Sequence, residues 1–333
     1  MVAAVTDSTF SRNVSRGVYG GGALCVDGFV TVTNSTFSRN SLIQNGLGGG
    51  DSGGGAIWVF NGPNTVTGST FSRNRVSAKA GSSVAGGGAI YCDECDLNVN
   101  DSTFSYNSSV NGSAGGAIAH TAGGDLVVMN SMFFRNSVSG GVKIGTIFNN
   151  GGGALYDNGR LTVTNSTFSG NAVSVAGKGG AILEGFGQVT VTNSTFSRNR
   201  GGGAGGGGGI AVADQADGGQ ALLQNTIVAN STRGGNCAGM GIVDGGHNLR
   251  WPSKDTTCVG YIGDPKVAPL KNNGGPTKTM ALRPGSAAIN AGDNAICAAA
   301  PVNNLDQRGF VRPAAGITNC SIGAYEYNAV AAP

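Results

Sequence analysis

Asn34-Ser35-Thr36-Phe37-Ser38-Arg39-Asn40 decides the fold, because the chain keeps returning to it. Copies run from Asp7 to Asn13, Gly68 to Asn74, Asp101 to Asn107, Asn130 to Asn136, Asn165 to Asn171 and Asn193 to Asn199, with a weaker echo from Asn225. The aromatic falls at Phe10, Phe37, Phe71, Phe104, Phe133, Phe168 and Phe196, in steps of 27, 34, 33, 29, 35 and 28 residues. Self-similarity at such a period denotes a solenoid, in which each repeat stacks on the one before.

Outward from this stretch, each copy follows an alternating segment such as Val30-Thr31-Val32-Thr33. That segment follows a glycine run and a short apolar run, as in Gly54-Gly55-Ala56-Ile57, Gly87-Gly88-Ala89-Ile90 and Gly179-Gly180-Ala181-Ile182. Period-two alternation with β-branched residues specifies strands rather than helices. Three short strands per coil, over seven coils and a degenerate eighth, describe a parallel β-helix across residues 1–232. Val30, Val32 and Phe37 point inward, and the seven Phe residues form an internal column. Glycine before Ala-Ile is expected to supply positive φ at a tight corner. Asn34, Asn165 and Asn193, with Asp7 and Asp101 in place, are expected to form a column of side chains bonding along the axis at a bend. The uneven steps place insertions in the loops Ser41 to Ser52, Arg75 to Ala85 and Ser137 to Asn150. From Arg233 the composition changes, and residues 233–333 read as a loop-rich module capping the open end of the stack.

Composition narrows the function. Glycine makes up 61 of 333 residues but clusters before strand signals, and 39% hydrophobic residues suffice for a core. A net charge of +3 with 12% charged residues gives no electrostatic case for nucleic acid. No apolar run is long enough to span a bilayer. Met1 to Thr6 enters directly on a repeat strand without the features of a signal peptide, and we read the chain as starting inside a longer exported one. Of seven cysteines, Cys237 with Cys258 and Cys297 with Cys320 suit crosslinks in the irregular tail, and Cys92 with Cys95 suits a local disulfide. Cys25 is left over and is expected to pack as a small apolar residue. This usage favours an oxidising compartment.

The repeat pair Gly-Gly-Ala-Ile and Phe-x-x-Asn, as in Phe37 to Asn40, resembles that of chlamydial polymorphic outer membrane proteins and related bacterial β-helix surface proteins. In the tail, Gly263 to Leu270, Asn272 to Thr277, Leu282 to Ile289, Asp306-Gln307-Arg308-Gly309-Phe310 and Ile322-Gly323-Ala324-Tyr325-Glu326 together resemble the bacterial choice-of-anchor Q domain. Gly245 to Pro252 resembles the segment that often precedes it. The resemblance implies a right-handed helix displayed at the cell surface or released, and it brings no catalytic residues with it.

Candidate chemistry is sparse. Acids fall in turns, at Asp27, Asp93, Glu94, Asp96, Asp157, Glu184 and Asp214. Asp93, Glu94, Asp96 and Asp125, near Asp101, are the densest group; they are candidates for calcium if the coils converge them, and solvated turn residues otherwise. Asp244 and His247 have acid–base spacing within a glycine turn, His120 stands alone, and no nucleophile elbow occurs. Arg12, Arg39, Arg73, Arg135 and Arg198 form a row, interrupted by Tyr106 and Gly170. Strand parity would bury Arg39 beside Phe37, so the strand must bend at Ser38 or Arg39 and swing the guanidinium outward. Arg39, Arg73, Arg135 and Arg198 are thus candidates for binding cell-surface glycans or acidic polysaccharide. Thr31/Thr33, Thr65/Thr67, Thr162/Thr164 and Thr190/Thr192 form a face like that of ice-binding β-helices, broken at Asn98/Asn100 and Val127/Met129. The reading is a non-catalytic extracellular or surface protein for adhesion or display. A carbohydrate-active enzyme on the same scaffold is the main alternative, and an ice-binding protein the lesser one.

Overall fold

The computed structural model describes residues 2–17, 19–44, 52–78, 85–111, 114–140, 151–174, 177–213 and 219–332. Its architecture is an all-β, right-handed parallel solenoid. One coil runs Leu24–Asp27, Phe29–Thr33, Thr36–Ser38, and the next repeats the set as Ile57–Phe60, Pro63–Thr67, Thr70–Ser72. These three strands build an alanine–isoleucine sheet of eight strands, a threonine sheet of nine and a phenylalanine sheet of ten. Two shorter sheets, of six and three strands, run through segments such as Ser41–Ile43 and Ser52–Gly54 that the sequence leaves as loops. The remainders of those loops, residues 45–51, 79–84 and 141–150, lie outside the described residues.

Alternation sets which side chains go inward. Val30 and Val32 are buried while Thr31 between them is exposed. Register then stacks like on like, pairing Val32 with Val5 and Val66, and Ile57 with Leu24 and Ile90. The aromatic column is continuous from Phe10 to Phe196. Ring centroids are 4.6–4.9 Å apart, with planes 2–5° from parallel. Full burial of one such ring is worth about 1.5–3 kcal/mol, so this column is a principal source of stability.

The corner before each Ala-Ile run uses glycine differently from the expectation. At Gly54 and Gly55 φ is not positive; the constraint is close approach. A Cβ on Gly54 would stand 1.7 Å from the Ile57 carbonyl oxygen, and one on Gly55 2.1 Å from that of Gly88. Positive φ enters this corner in later coils, at Gly152 (67°) and Gly179 (66°). Cys25 is also corrected: it is free and exposed. Leu24 and Val26 flank it in the strand, so parity turns it outward, beside Trp58 of the next coil.

The tail extends the sheets and then covers a flank. Cys237–Ala238, Ile242–Asp244, Leu249–Trp251 and Tyr261–Ile262 pair onto the three long sheets. The Cys237–Cys258 disulfide and Val259 close the interior at this end. Residues beyond 263 lie against the outer face of the phenylalanine sheet, a placement the sequence reading did not include. The cause is a change of outward residue. Thr195 is followed in register by Ile227 and Leu249, and these apolar side chains pack under Val267, Met280, Leu282, Ala288 and Ile322.

The tail motifs hold this module together and dock it. Arg308 bonds Asp306 at 2.6 Å, both buried, and its guanidinium lies 4.0 Å from the Phe310 ring centroid and 3.8 Å from that of Tyr325. Asp306 also accepts the Glu326 backbone N–H, and Glu326 accepts from Ser321. Gln307 reaches the solenoid: its Oε1 accepts from Thr167 Oγ1 at 2.6 Å, and its Nε2 donates to the Ser131 carbonyl at 3.3 Å. Cys297–Cys320 staples the short helix Asn294–Ala298 to the same module.

Candidate functional site

The seven-residue repeat is a double corner. Its first residue takes the left-handed conformation, with φ of 48° at Asn34, 46° at Asn165 and 45° at Asn193. The sixth does likewise, with φ of 57° at Arg39, 56° at Arg73, 58° at Tyr106, 52° at Arg135 and 62° at Arg198. Left-handed backbone costs a non-glycine residue about 1–2 kcal/mol, so something must hold these corners.

The holding device is the closing Asn, and here the expectation for Asn34, Asn165 and Asn193 is corrected. The axial amide ladder runs through Asn13, Asn40, Asn74, Asn107, Asn136, Asn171 and Asn199. Asn74 Nδ2 donates to Asn107 Oδ1 at 3.0 Å and to the Phe37 carbonyl at 2.9 Å, and its backbone N–H donates to Asn107 Oδ1 at 2.9 Å. The same pattern recurs at Asn107 and Asn136. A serine ladder runs beside it, in which Ser69 N–H donates to Ser102 Oγ and Ser69 Oγ to the Thr67 carbonyl. The opening residue supplies the left-handed turn, and its side chain makes separate local bonds rather than a ladder: Asn130 Nδ2 donates to Asn100 Oδ1, Asn165 Nδ2 to the Leu305 carbonyl and Asn225 Nδ2 to that of Asp293.

With both corners locked, the sixth side chains project as an exposed axial row of Arg12, Arg39, Arg73, Tyr106, Arg135 and Arg198, with Gly170 leaving a gap of one coil before Arg198. Among the described residues, none of these arginines has a carboxylate within salt-bridge distance. Tyr106 sits between two of them, with the Arg73 guanidinium 5.4 Å and that of Arg135 5.9 Å from its ring centroid. Arg135 also lies 5.0 Å from the Phe134 ring, which meets Tyr106 edge-on at 5.4 Å. Each arginine gains about 0.5–1 kcal/mol from such a contact at an exposed site, and the ring keeps the two cations apart.

Beside Tyr106 the tail forms the opposite wall of a cleft of about 390 Å³. Its floor is Met132, Phe134 and Tyr106, its polar lining includes Thr103 and Ser105, and Lys278 lies on the tail side. Thr277 fixes that wall by donating to the Asn130 carbonyl at 2.8 Å.

The acidic group does not converge. Asp93 accepts from Thr121 at 2.9 Å, Asp96 from the Asp125 backbone N–H at 2.9 Å, and Asp125 faces Arg160 at 3.7 Å in solvent. Glu94 occupies an exposed turn, and Asp214 lies outside the described residues. Among the described residues no cluster of three or more His, Cys, Asp or Glu side chains could hold a metal ion. Asp244 and His247 do not pair: Asp244 accepts from Gly246 and Asn248, and His247 bonds the Ala291 carbonyl. The Thr pairs are interrupted in register by Asn98/Asn100 and Val127/Met129, and Thr164 is buried.

One cluster went unread in the sequence. Val26, Val59, Cys92, His120, Asp157, Glu184 and Val212 form one inward column of the alanine–isoleucine sheet. His120, Asp157 and Glu184 are 0% exposed. His120 Nδ1 lies 2.5 Å from Asp157 Oδ1 and Nε2 lies 2.7 Å from the Cys95 carbonyl. A carbonyl only accepts, so Nε2 carries a proton, and a second proton is shared between Nδ1 and Asp157. Burial alone would lower the pKa of His120; the hydrogen bond and charge of Asp157 and the Cys95 carbonyl outweigh it, and the net direction is up. Burial, and then the charge of Asp157, push Glu184 up to about 9, although Glu184 accepts from the Phe186 and Gly187 backbone N–H groups. The three side chains lie inside the wall, away from solvent, where both shifts favour the protonated forms of His120 and Glu184. Parity was the signal: each polar residue is the third of an Ile-Ala-His, Leu-Tyr-Asp or Ile-Leu-Glu triplet and shares the side of the first.

Among the described residues, no helix is long and apolar enough to cross a membrane. Comparison with protein-family models gives no match, and a search of curated proteins gives none either. The chain's own geometry therefore carries the conclusion that it is a right-handed parallel β-solenoid scaffold with disulfide-bonded tail segments.

Proposed function

We propose that this is a non-catalytic bacterial surface or secreted protein, a rigid rod that adheres by binding acidic polysaccharide along its arginine row. One observation carries the reading: five exposed guanidiniums stand in a single axial line without carboxylate partners among the described residues, on corners locked by the asparagine ladder. A polyanion running along the rod would meet them in succession, and ion pairing there requires no internal partner to be displaced. Three disulfides support an oxidising destination. The tail motifs support kinship with choice-of-anchor Q proteins, and the repeats with polymorphic outer membrane proteins. The enzyme alternative has the Asp157 and Glu184 carboxyls on its side, but both are shut away from any substrate. Chromatography on immobilised alginate and heparin at low salt tests the proposal. The wild-type protein is expected to be retained and the Arg39→Ala/Arg73→Ala/Arg135→Ala variant to flow through. Absence of retention at low salt would reject the reading, and release of shortened or unsaturated products from a polysaccharide panel would favour the enzyme.

A further inference from the structure

We infer that the cleft between Tyr106 and Lys278 is a discrete subsite for a short acidic saccharide, a place on the row where a sugar ring is held as well as its charge. The inference rests on the reading of the rod as an acidic-glycan binder and adds a location to it. Elsewhere the row offers point cations on an open edge, which suits any polyanion. At the fourth copy Tyr106 replaces arginine, and there the tail closes alongside to make a cavity of about 390 Å³. That volume falls within the roughly 300–1,000 Å³ typical of small-molecule sites.

The lining matches a uronate chemically. Met132, Phe134 and Tyr106 present an apolar floor for the C–H face of a pyranose, and the Thr103 and Ser105 side chains supply hydroxyl partners. Arg73 and Arg135 do not line the cavity itself but flank the ring of Tyr106 that does, and their contacts to it restrict them before any ligand arrives. A guanidinium fork held in place loses less freedom when it grips a carboxylate. Lys278 adds a third cation from the tail side. The hydroxyl lining and the modest net charge of +3 favour a saccharide over nucleic acid, whose binding draws on broad phosphate neutralisation.

Calorimetric titration with a hexuronate tetrasaccharide tests this, alongside a neutral tetrasaccharide, a short single-stranded DNA and long-chain alginate. Tyr106→Ala and, separately, Lys278→Ala are compared with the distal Arg12→Ala/Arg39→Ala pair, and unchanged thermal unfolding certifies each fold. The expected result is saturable tetrasaccharide binding, weakened about tenfold by Tyr106→Ala and also weakened by Lys278→Ala. The distal pair should leave it within about twofold while weakening long-chain alginate. Equal binding of the neutral saccharide, or DNA binding with the same dependence on Tyr106 and Lys278, would overturn the subsite. Alginate binding that ignores both cleft variants, with no tetrasaccharide binding, would also overturn it and leave the row intact. Tetrasaccharide binding without polymer binding would sustain the cleft and sink the row; binding of neither would end both.

Discussion

Each side chain of Asn34 to Asn40 has a separate task, and substitutions can separate them. Phe104 lies between two rings in the stack and is 0% exposed, so Phe104→Ala is expected to cost about 3–5 kcal/mol in denaturant unfolding. Phe10, half-buried with a ring on one side, should cost clearly less. Asn107→Ala removes a donor and an acceptor from a buried ladder and is expected to cost about 1–3 kcal/mol, whereas Asn34→Gly should be close to neutral, because only a left-handed backbone is required there. Equal costs at the two Asn positions would contradict the ladder assignment. The sequence could not separate them: both recur with the coil, and only the backbone angle shows which amide turns inward. The proton-holding column gives a pH prediction at the same scale. The folded-state pKa of Glu184, about 9, exceeds its ordinary 4.5, so its contribution is fully present below about pH 4.5 and is lost as pH rises towards 9. His120, raised above 6.5, acts in the same direction. Unfolding measured from pH 5 to 9 should show the wild type losing stability relative to Glu184→Gln. A difference that stays flat, or runs the other way, would contradict the assigned protonation.

At the scale of elements, the phenylalanine sheet serves two faces. Its inner face is the ring column, legible because Phe recurs at a regular position. Its outer face becomes a docking surface where Thr195 gives way to Ile227, a change also present in the sequence but hidden by treating Asn225 to Asn230 as a fading repeat. Gln307 is the polar latch of this docking, bonded to Thr167, Ser131 and Thr277. Gln307→Ala is expected to raise hydrogen exchange and protease sensitivity across residues 264–332, leaving the strands from Phe29 to Ser105 protected. Uniform loss of protection along the whole chain would contradict a separately docked flank module. The His120, Asp157 and Glu184 cluster was harder to read, because each residue belongs to a different coil and looks like an ordinary turn residue until register stacks them.

For the whole molecule, the locked corners turn a repeated heptapeptide into a ruler of exposed charge, and the proposed function has that ruler meet a polyanion. The row itself was legible from spacing together with the cost of burying an unpaired guanidinium. The cleft was not, since it needs the tail to fold back across 147 residues, from Thr277 to Asn130, which no local pattern announces. Equilibrium binding to alginate as a function of salt concentration tests the claim most directly. Affinity should fall steeply with salt, and the slope of log K against log salt should shrink by about one for each arginine removed from Arg39, Arg73 and Arg135. Undetectable binding at low salt, or a slope indifferent to those three residues, would contradict it.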